Sequence, residues 1–152
     1  MKQLGEEKLR QLNQCRYENK LKSYKKHLIK QKVKMDKYFA VNRNLQLIES
    51  CNRIGSLRNC LRWAANETKE HILKKLELCM ELKFIDHEFL TEARFKTGGR
   101  CDVLDLTDGT VYEILYTETD EQFEENKLQK YPAEFRIVKI KCKKEGDKNA
   151  SL

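Results

Sequence analysis

Residues 99–115 read Gly-Arg-Cys-Asp-Val-Leu-Asp-Leu-Thr-Asp-Gly-Thr-Val-Tyr-Glu-Ile-Leu, and this stretch decides the fold. Arg100–Leu106 and Thr110–Tyr116 alternate and are rich in β-formers, so each is predicted to be a strand. Thr107-Asp108-Gly109 supplies the turn between them. Side chains alternate faces along a strand. Val111, Glu113 and Leu115 therefore share one face, and Asp102 shares a face with Arg100 and Leu104. Two such strands joined by a tight turn set Asp102 near Glu113.

The neighbouring segments extend this pattern. Upstream, Phe89–Phe95 is predicted to be a strand paired through the turn at Thr97-Gly98-Gly99. Before it, Asn66 has the chemistry of an N-cap, and Glu67 and Glu70 suit the first turn of a helix. Ile72, Leu73, Leu76, Cys79 and Met80 recur at helical spacing, which predicts a helix to about Lys83. Downstream, Thr119-Asp120-Glu121-Gln122 is a capping box, opening a helix that runs to about Lys130 before Pro132. Phe135–Ile140 makes a fourth strand. The order is α-β-β-β-α-β over residues 66–142, an α/β core with a mixed sheet flanked by helices. Residues 143–152 are polar and expected to be disordered.

Residues 1–65 hold 16 Lys/Arg against 5 Asp/Glu, whereas residues 66–152 hold 15 against 19. The first part is therefore a basic, helical N-terminal extension. Residues 1–37 predict a helix or a frayed arm, and 38–63 predict two short helices broken at Gly55-Ser56. A basic segment on an acidic core suggests nucleic acid, because cations displace counterions from the phosphate backbone. The plain alternative is a solvated lysine-rich helix.

None of the six cysteines forms a C-x-x-C pair, so zinc is disfavoured, and Cys79 and Cys101 read as small core residues. Trp63 reads as a core anchor. Met1–Arg10 is charged, unlike a signal peptide, and no apolar run spans a bilayer. The expectation is an intracellular protein with no membrane partner.

Carboxylates on adjacent strands offer the oxygen ligands that Mg²⁺ or Mn²⁺ prefers. Such an ion polarises a phosphoryl group and acidifies bound water. Glu67 and His71, one helical turn apart, face the same way; Glu67 would complete the metal shell or orient water. Arg94, Lys96 and Arg100 bracket the first turn and are candidates for phosphate contact, as is His71. Each has a simpler reading: a solvated hairpin for the cations, a packing role for His71. Glu92 either approaches the site or pairs with Arg100. Asp105 reads as a turn residue.

The segments Asn66–His71, Leu90–Phe95, Gly99–Leu106 and Tyr112–Leu115, in this order, resemble the PD-(D/E)XK, restriction-endonuclease-like superfamily over about half the chain. They are most like its small archaeal and archaeal-virus members. The resemblance implies that Asp102 and Glu113 bind Mg²⁺, with Glu67 assisting. It also implies a lysine two residues after the third-strand acid, and that position here is Leu115. Lys127 and Lys74 are the candidates to supply the cation from elsewhere.

The expected activity is metal-dependent hydrolysis of phosphodiester bonds, with DNA the expected substrate; a homodimer is left open. A catalytically inactive nucleic-acid-binding protein on the same fold is the rival. An assembly protein whose lysine-rich arm binds an acidic surface is the third reading.

Overall fold

The computed structural model describes residues 2–49, 57–115 and 120–142. The chain divides into two compact units, residues 1–38 and 39–152. The second therefore begins well before residue 66.

The first unit lies within helix α1, Lys2–Leu45. Good helix formers run through it without a proline, and i,i+4 pairs support it, including Gln14–Glu18 at 3.2 Å and His27–Gln31 at 2.8 Å. Its apolar side chains Leu12, Tyr17, Leu21, Tyr24, Leu28, Ile29 and Val33 are all exposed.

In the second unit the last turns of α1 bury Val41 and Asn44. Asn44 donates from Nδ2 to the Leu106 carbonyl at 2.8 Å, and α1 runs unbroken to Leu45, past residue 38 where a separate short helix was expected to begin. Gly55-Ser56 lies outside the described residues. Helix α2 (Lys69–Phe84) is followed by strands β1 (Phe89–Arg94), β2 (Arg100–Asp105) and β3 (Thr110–Leu115). Helix α3 (Asp120–Asn126) and a 3-10 turn (Leu128–Lys130) lead to β4 (Arg136–Lys141). The sheet order is β1-β2-β3-β4, antiparallel except for the β3–β4 pair, which is parallel. A parallel pair needs a crossover, and α3 with the 3-10 turn supplies it. The mixed α/β sheet expected from sequence is therefore present, with the strands in the expected order.

Two clusters form the core. Leu90, Leu104, Val111, Leu115, Phe123 and Phe135 pack with Val41 of α1 and with Ile48 just beyond its end. Leu78, Cys79 and Leu82 of α2 pack with Phe89 and Val103. Cys79 and Cys101 are buried as expected.

Three expectations are corrected. Thr68, not Asn66, caps α2, its Oγ1 accepting from the His71 N–H at 3.3 Å. The buried stripe of α2 is Lys75, Leu78, Cys79 and Leu82, while Leu73, Leu76 and Met80 are exposed. The helix is thus rotated from the expected facing, because it carries apolar residues on more than one side. Trp63 is 57% exposed and anchors no core. Thr119 and the tail after Cys142 lie outside the described residues. Among the described residues no helix is long and apolar enough to cross a membrane.

Candidate functional site

The sheet register aligns three acids. Thr91 pairs with Val103 and Ala93 with Cys101, which places Glu92 opposite Asp102. Val103 pairs with Tyr112, which places Asp102 opposite Glu113 when the same register is continued. Glu113 in turn pairs with Lys139. Glu92, Asp102, Glu113 and Lys139 therefore fall in register, one row across four strands at the level of the backbone.

Local backbone geometry brings Glu92 into this row. Its φ is +55°, a left-handed conformation that costs a non-glycine residue energy. Arg62 holds it there, donating from Nη2 to the carbonyls of Thr91 (2.8 Å) and Glu92 (2.9 Å). Past this point β1 changes facing: Thr91 bonds to residues 60 and 62, whereas Ala93 joins the other core cluster.

Beneath the row, α2 contributes a ladder at four-residue spacing: Glu67, His71 and Lys75. Glu67 sits just ahead of the helix, where the Ala64 N–H donates to it at 2.9 Å. Lys75 is fully buried. Its Nζ donates to both oxygens of Glu67 (2.9 and 3.0 Å) and to Glu92 Oε1, and stands 3.9 Å from Asp102 Oδ1. Burial alone would depress this ammonium, but the hydrogen bonds to Glu92 and Glu67 outweigh it and raise its pKa. Burial likewise opposes the Glu67 carboxylate, yet the Ala64 N–H and Lys75 hold its pKa down at about 2. For Glu92, burial prevails and the pKa rises.

His71 spans two carboxylates, with Nδ1 3.1 Å from Glu67 Oε2 and Nε2 3.3 Å from Asp102 Oδ2. The hydrogen bond to Asp102 raises its pKa against the effect of burial. Both ring nitrogens face acceptors, which suits the imidazolium.

Asp102 and Glu113 meet where β2 and β3 part. Glu113 Oε1 accepts from the Asp102 N–H at 3.3 Å, and Asp102 Oδ2 accepts from the Ile114 N–H at 2.8 Å. Their other partners differ. Asp102 is engaged by His71 and Lys75 of α2, whereas Glu113 accepts from the Tyr131 hydroxyl at 2.7 Å and lies 3.4 Å from Lys127 Nζ. The two acids adjoin, but they do not share the common face expected from strand alternation. Burial, then the charge of Asp102, pushes Glu113 up to about 7.

The structure thus joins Glu67 to Asp102 through His71 and Lys75, and Lys127 to Glu113, with Asp102 and Glu113 adjoining at the parting of the strands. It does not bring Lys74 to them: that side chain pairs with Glu77 at 2.8 Å on the α2 surface. Arg100 joins the cluster through Nε, 3.3 Å from Glu92 Oε2. Arg94 and Lys96 are exposed on the β1–β2 hairpin. Asp105 holds its turn, accepting from the N–H groups of Thr107 (2.8 Å) and Asp108 (3.1 Å), and it contacts His87 at 2.6 Å.

No protein-family model, curated protein or solved structure matches the chain.

Lys75 and Tyr131 were absent from the sequence reading. Lys75 has a sequence signal, since it lies three, four and seven residues before Leu78, Cys79 and Leu82 on the buried stripe. Tyr131 reaches the site only through the crossover, which no local pattern encodes.

Asp102 Oδ1 and Glu113 Oε2 are the least committed carboxylate oxygens of this pair, their nearest cations being 3.9 and 3.4 Å away. Hard oxygen donors carrying adjacent negative charge fit a divalent cation, which would relieve the repulsion that raises Glu113. Among the described residues no three His, Cys, Asp or Glu side chains are grouped to hold a metal on their own. Such an ion would need water or substrate oxygens to complete its shell, a mode Mg²⁺ favours.

Proposed function

We propose that this chain is a metal-dependent nuclease of the restriction-endonuclease-like type, hydrolysing phosphodiester bonds in nucleic acid, with DNA the expected substrate. One observation carries the reading: Asp102 and Glu113 adjoin at the parting of β2 and β3, each with a loosely held oxygen, and Glu113 is raised by burial and then by its neighbour's charge. The α-β-β-β-α-β order supports it as well.

Asp102 and Glu113 would hold Mg²⁺ or Mn²⁺, which when bound supplies Lewis acidity and an acidified water. Lys75 has no exposed surface, so it touches no substrate in this geometry; it positions Glu67, Glu92 and Asp102 by neutralising them. Lys127 is part-exposed beside Glu113 and would be the cation that meets a phosphoryl oxygen. His71 orients Asp102 and shields it from Glu67.

One observation favours the rival, non-catalytic reading: His71 and Lys75 already balance Asp102. The test is incubation of the full chain with plasmid DNA, single-stranded DNA and RNA, with and without Mg²⁺ or Mn²⁺. Expected are metal-dependent cleavage, its loss with chelator, and a fall of roughly a hundredfold or more for Asp102→Asn or Glu113→Gln. No cleavage of any substrate by the unaltered chain ends the nuclease reading. Salt-sensitive binding without cleavage then selects the rival.

A further inference from the structure

Arg94 and Arg100 are registered partners on β1 and β2 and line one cleft of about 440 Å³ together with Glu49, Phe95 and Gly98. Like charges directly opposite on paired strands repel, so this placement costs the hairpin stability. Among the described residues the Arg94 guanidinium has no ion-pair partner, and the only ion pair of Arg100 uses Nε, at 3.3 Å from Glu92. The terminal amino groups of both arginines are left for a ligand. Among the described residues Glu49 is the one acid on the rim. Planar guanidinium groups match phosphate oxygens in two-pronged fashion, better than a lysine does.

The hairpin carrying this cleft is braced on both sides. Ile48 bridges to Phe95, and the Lys96 N–H donates to the Leu47 carbonyl at 3.1 Å. On the other side Thr97 Oγ1 donates to the Lys130 carbonyl. Gly99 lies so close to the 3-10 turn that a Cβ there would stand 2.6 Å from both the Lys130 oxygen and the Tyr131 ring. Arg100 also connects the cleft to the carboxylate row twice. Its side chain meets Glu92, and its carbonyl accepts from the Tyr131 hydroxyl at 2.9 Å, the same hydroxyl that donates to Glu113.

We infer that the Arg94–Arg100 cleft is a second phosphate subsite, holding a backbone phosphate of the same nucleic-acid strand beside the one placed at Asp102 and Glu113. The inference rests on the nucleic-acid part of the proposed function and not on cleavage. A phosphate there gives Arg100 an anion in addition to Glu92 and fixes the strand relative to the row.

The test is equilibrium binding of labelled single-stranded and duplex oligonucleotides by the full chain in chelator, across a salt series. Unaltered protein is compared with Arg94→Gln, Arg100→Gln, the double variant, the double Arg→Lys variant, and Arg136→Gln as a surface control. Losing this one phosphate contact should lower the log–log salt slope by about 0.7 for single strands or about 0.9 for duplex. The Lys pair should restore the slope, and Arg136→Gln should leave the cleft's contribution in place. A neutral methylphosphonate linkage, walked along the oligonucleotide, should weaken binding to the unaltered protein at one position that costs the double Gln variant nothing. A double Gln variant with unchanged slope, a linkage scan identical for both proteins, or no binding by the unaltered chain overturns the subsite. Absence of cleavage with metal would overturn the nuclease reading alone and leave these binding results standing.

Discussion

At the residue scale, the central group is Lys75. Its ammonium is wholly buried against Glu67 and Glu92, with Asp102 close by. Removing one partner of a buried ion cluster leaves uncompensated charge and costs about 3–5 kcal/mol. Lys75→Met is therefore expected to lower unfolding free energy by roughly that amount in urea melts, and adding Glu67→Gln should recover part of the loss. Equal stability of Lys75→Met and the unaltered chain would show that the cluster is not held by this cation. Glu113 gives a pH signature. Its folded pKa of about 7 lies above the ordinary 4.5, so the folded state holds the proton more tightly. That contribution is fully present below about 4.5 and is lost as pH rises to about 7, by on the order of 2–3 kcal/mol. His71, also raised, acts in the same direction, while Glu67, held low, contributes stability that is lost only as pH falls from 4.5 toward 2. In metal-free buffer Glu113→Gln should be more stable than the unaltered chain at pH 8, with the gap closing near pH 4.5. A gap independent of pH would mean that Glu113 is not the titrating group.

At the scale of elements, the strands were legible and the facing of α2 was not. Alternation over Arg100–Leu106 and Thr110–Tyr116, with glycines in both turns, left little freedom for β2 and β3, and they form with the same starts. Helix α2 carries leucines on several sides, so periodicity alone admitted two facings. The buried stripe includes a lysine, a residue that is normally solvated, so composition gives no reason to place it inward. Only its partners Glu67 and Glu92, the latter on another element, make the buried position tolerable. The candidate site was legible to the same degree. Asp102, Glu113 and Glu67 stand out locally, whereas Lys75 and Tyr131 depend on contacts between elements. The hairpin offers a test at this scale. Gly99→Ala would drive a methyl group into the Lys130 carbonyl and the Tyr131 ring. A loss of about 2 kcal/mol is expected in urea melts, as for other overpacked sites. An unchanged melt would show that the hairpin and the 3-10 turn are not in register contact.

At the scale of the whole molecule, charge and core are divided between the units. Residues 1–38 carry 12 Lys/Arg against 4 Asp/Glu, while every buried hydrophobic residue among those described lies at Val41 or beyond. A chain beginning at Phe39 should therefore keep a cooperative thermal transition. Under the proposed nucleic-acid binding, it should also show a shallower salt dependence, because the net positive charge of residues 1–38 has been removed. Loss of the transition would mean that the core extends into the first unit; an unchanged salt slope would assign all phosphate contact to the second. The long α1 was the least legible part of the sequence, since its sparse apolar residues gave no stripe on which to predict a single helix through to Leu45.

The rank of charges running across the sheet has a consequence for how the chain finds its pairing. Sliding β2 by one position along β1 or β3 would bring Cys101 or Val103 into the slot between Glu92 and Glu113 and would turn Asp102 toward leucines. Such a misaligned sheet would take Asp102 from His71 and Lys75, leaving them with Glu67 and Glu92 alone. The same acids that form the candidate site thereby penalise every neighbouring alignment, so the chemistry of the site and the uniqueness of the sheet are selected together.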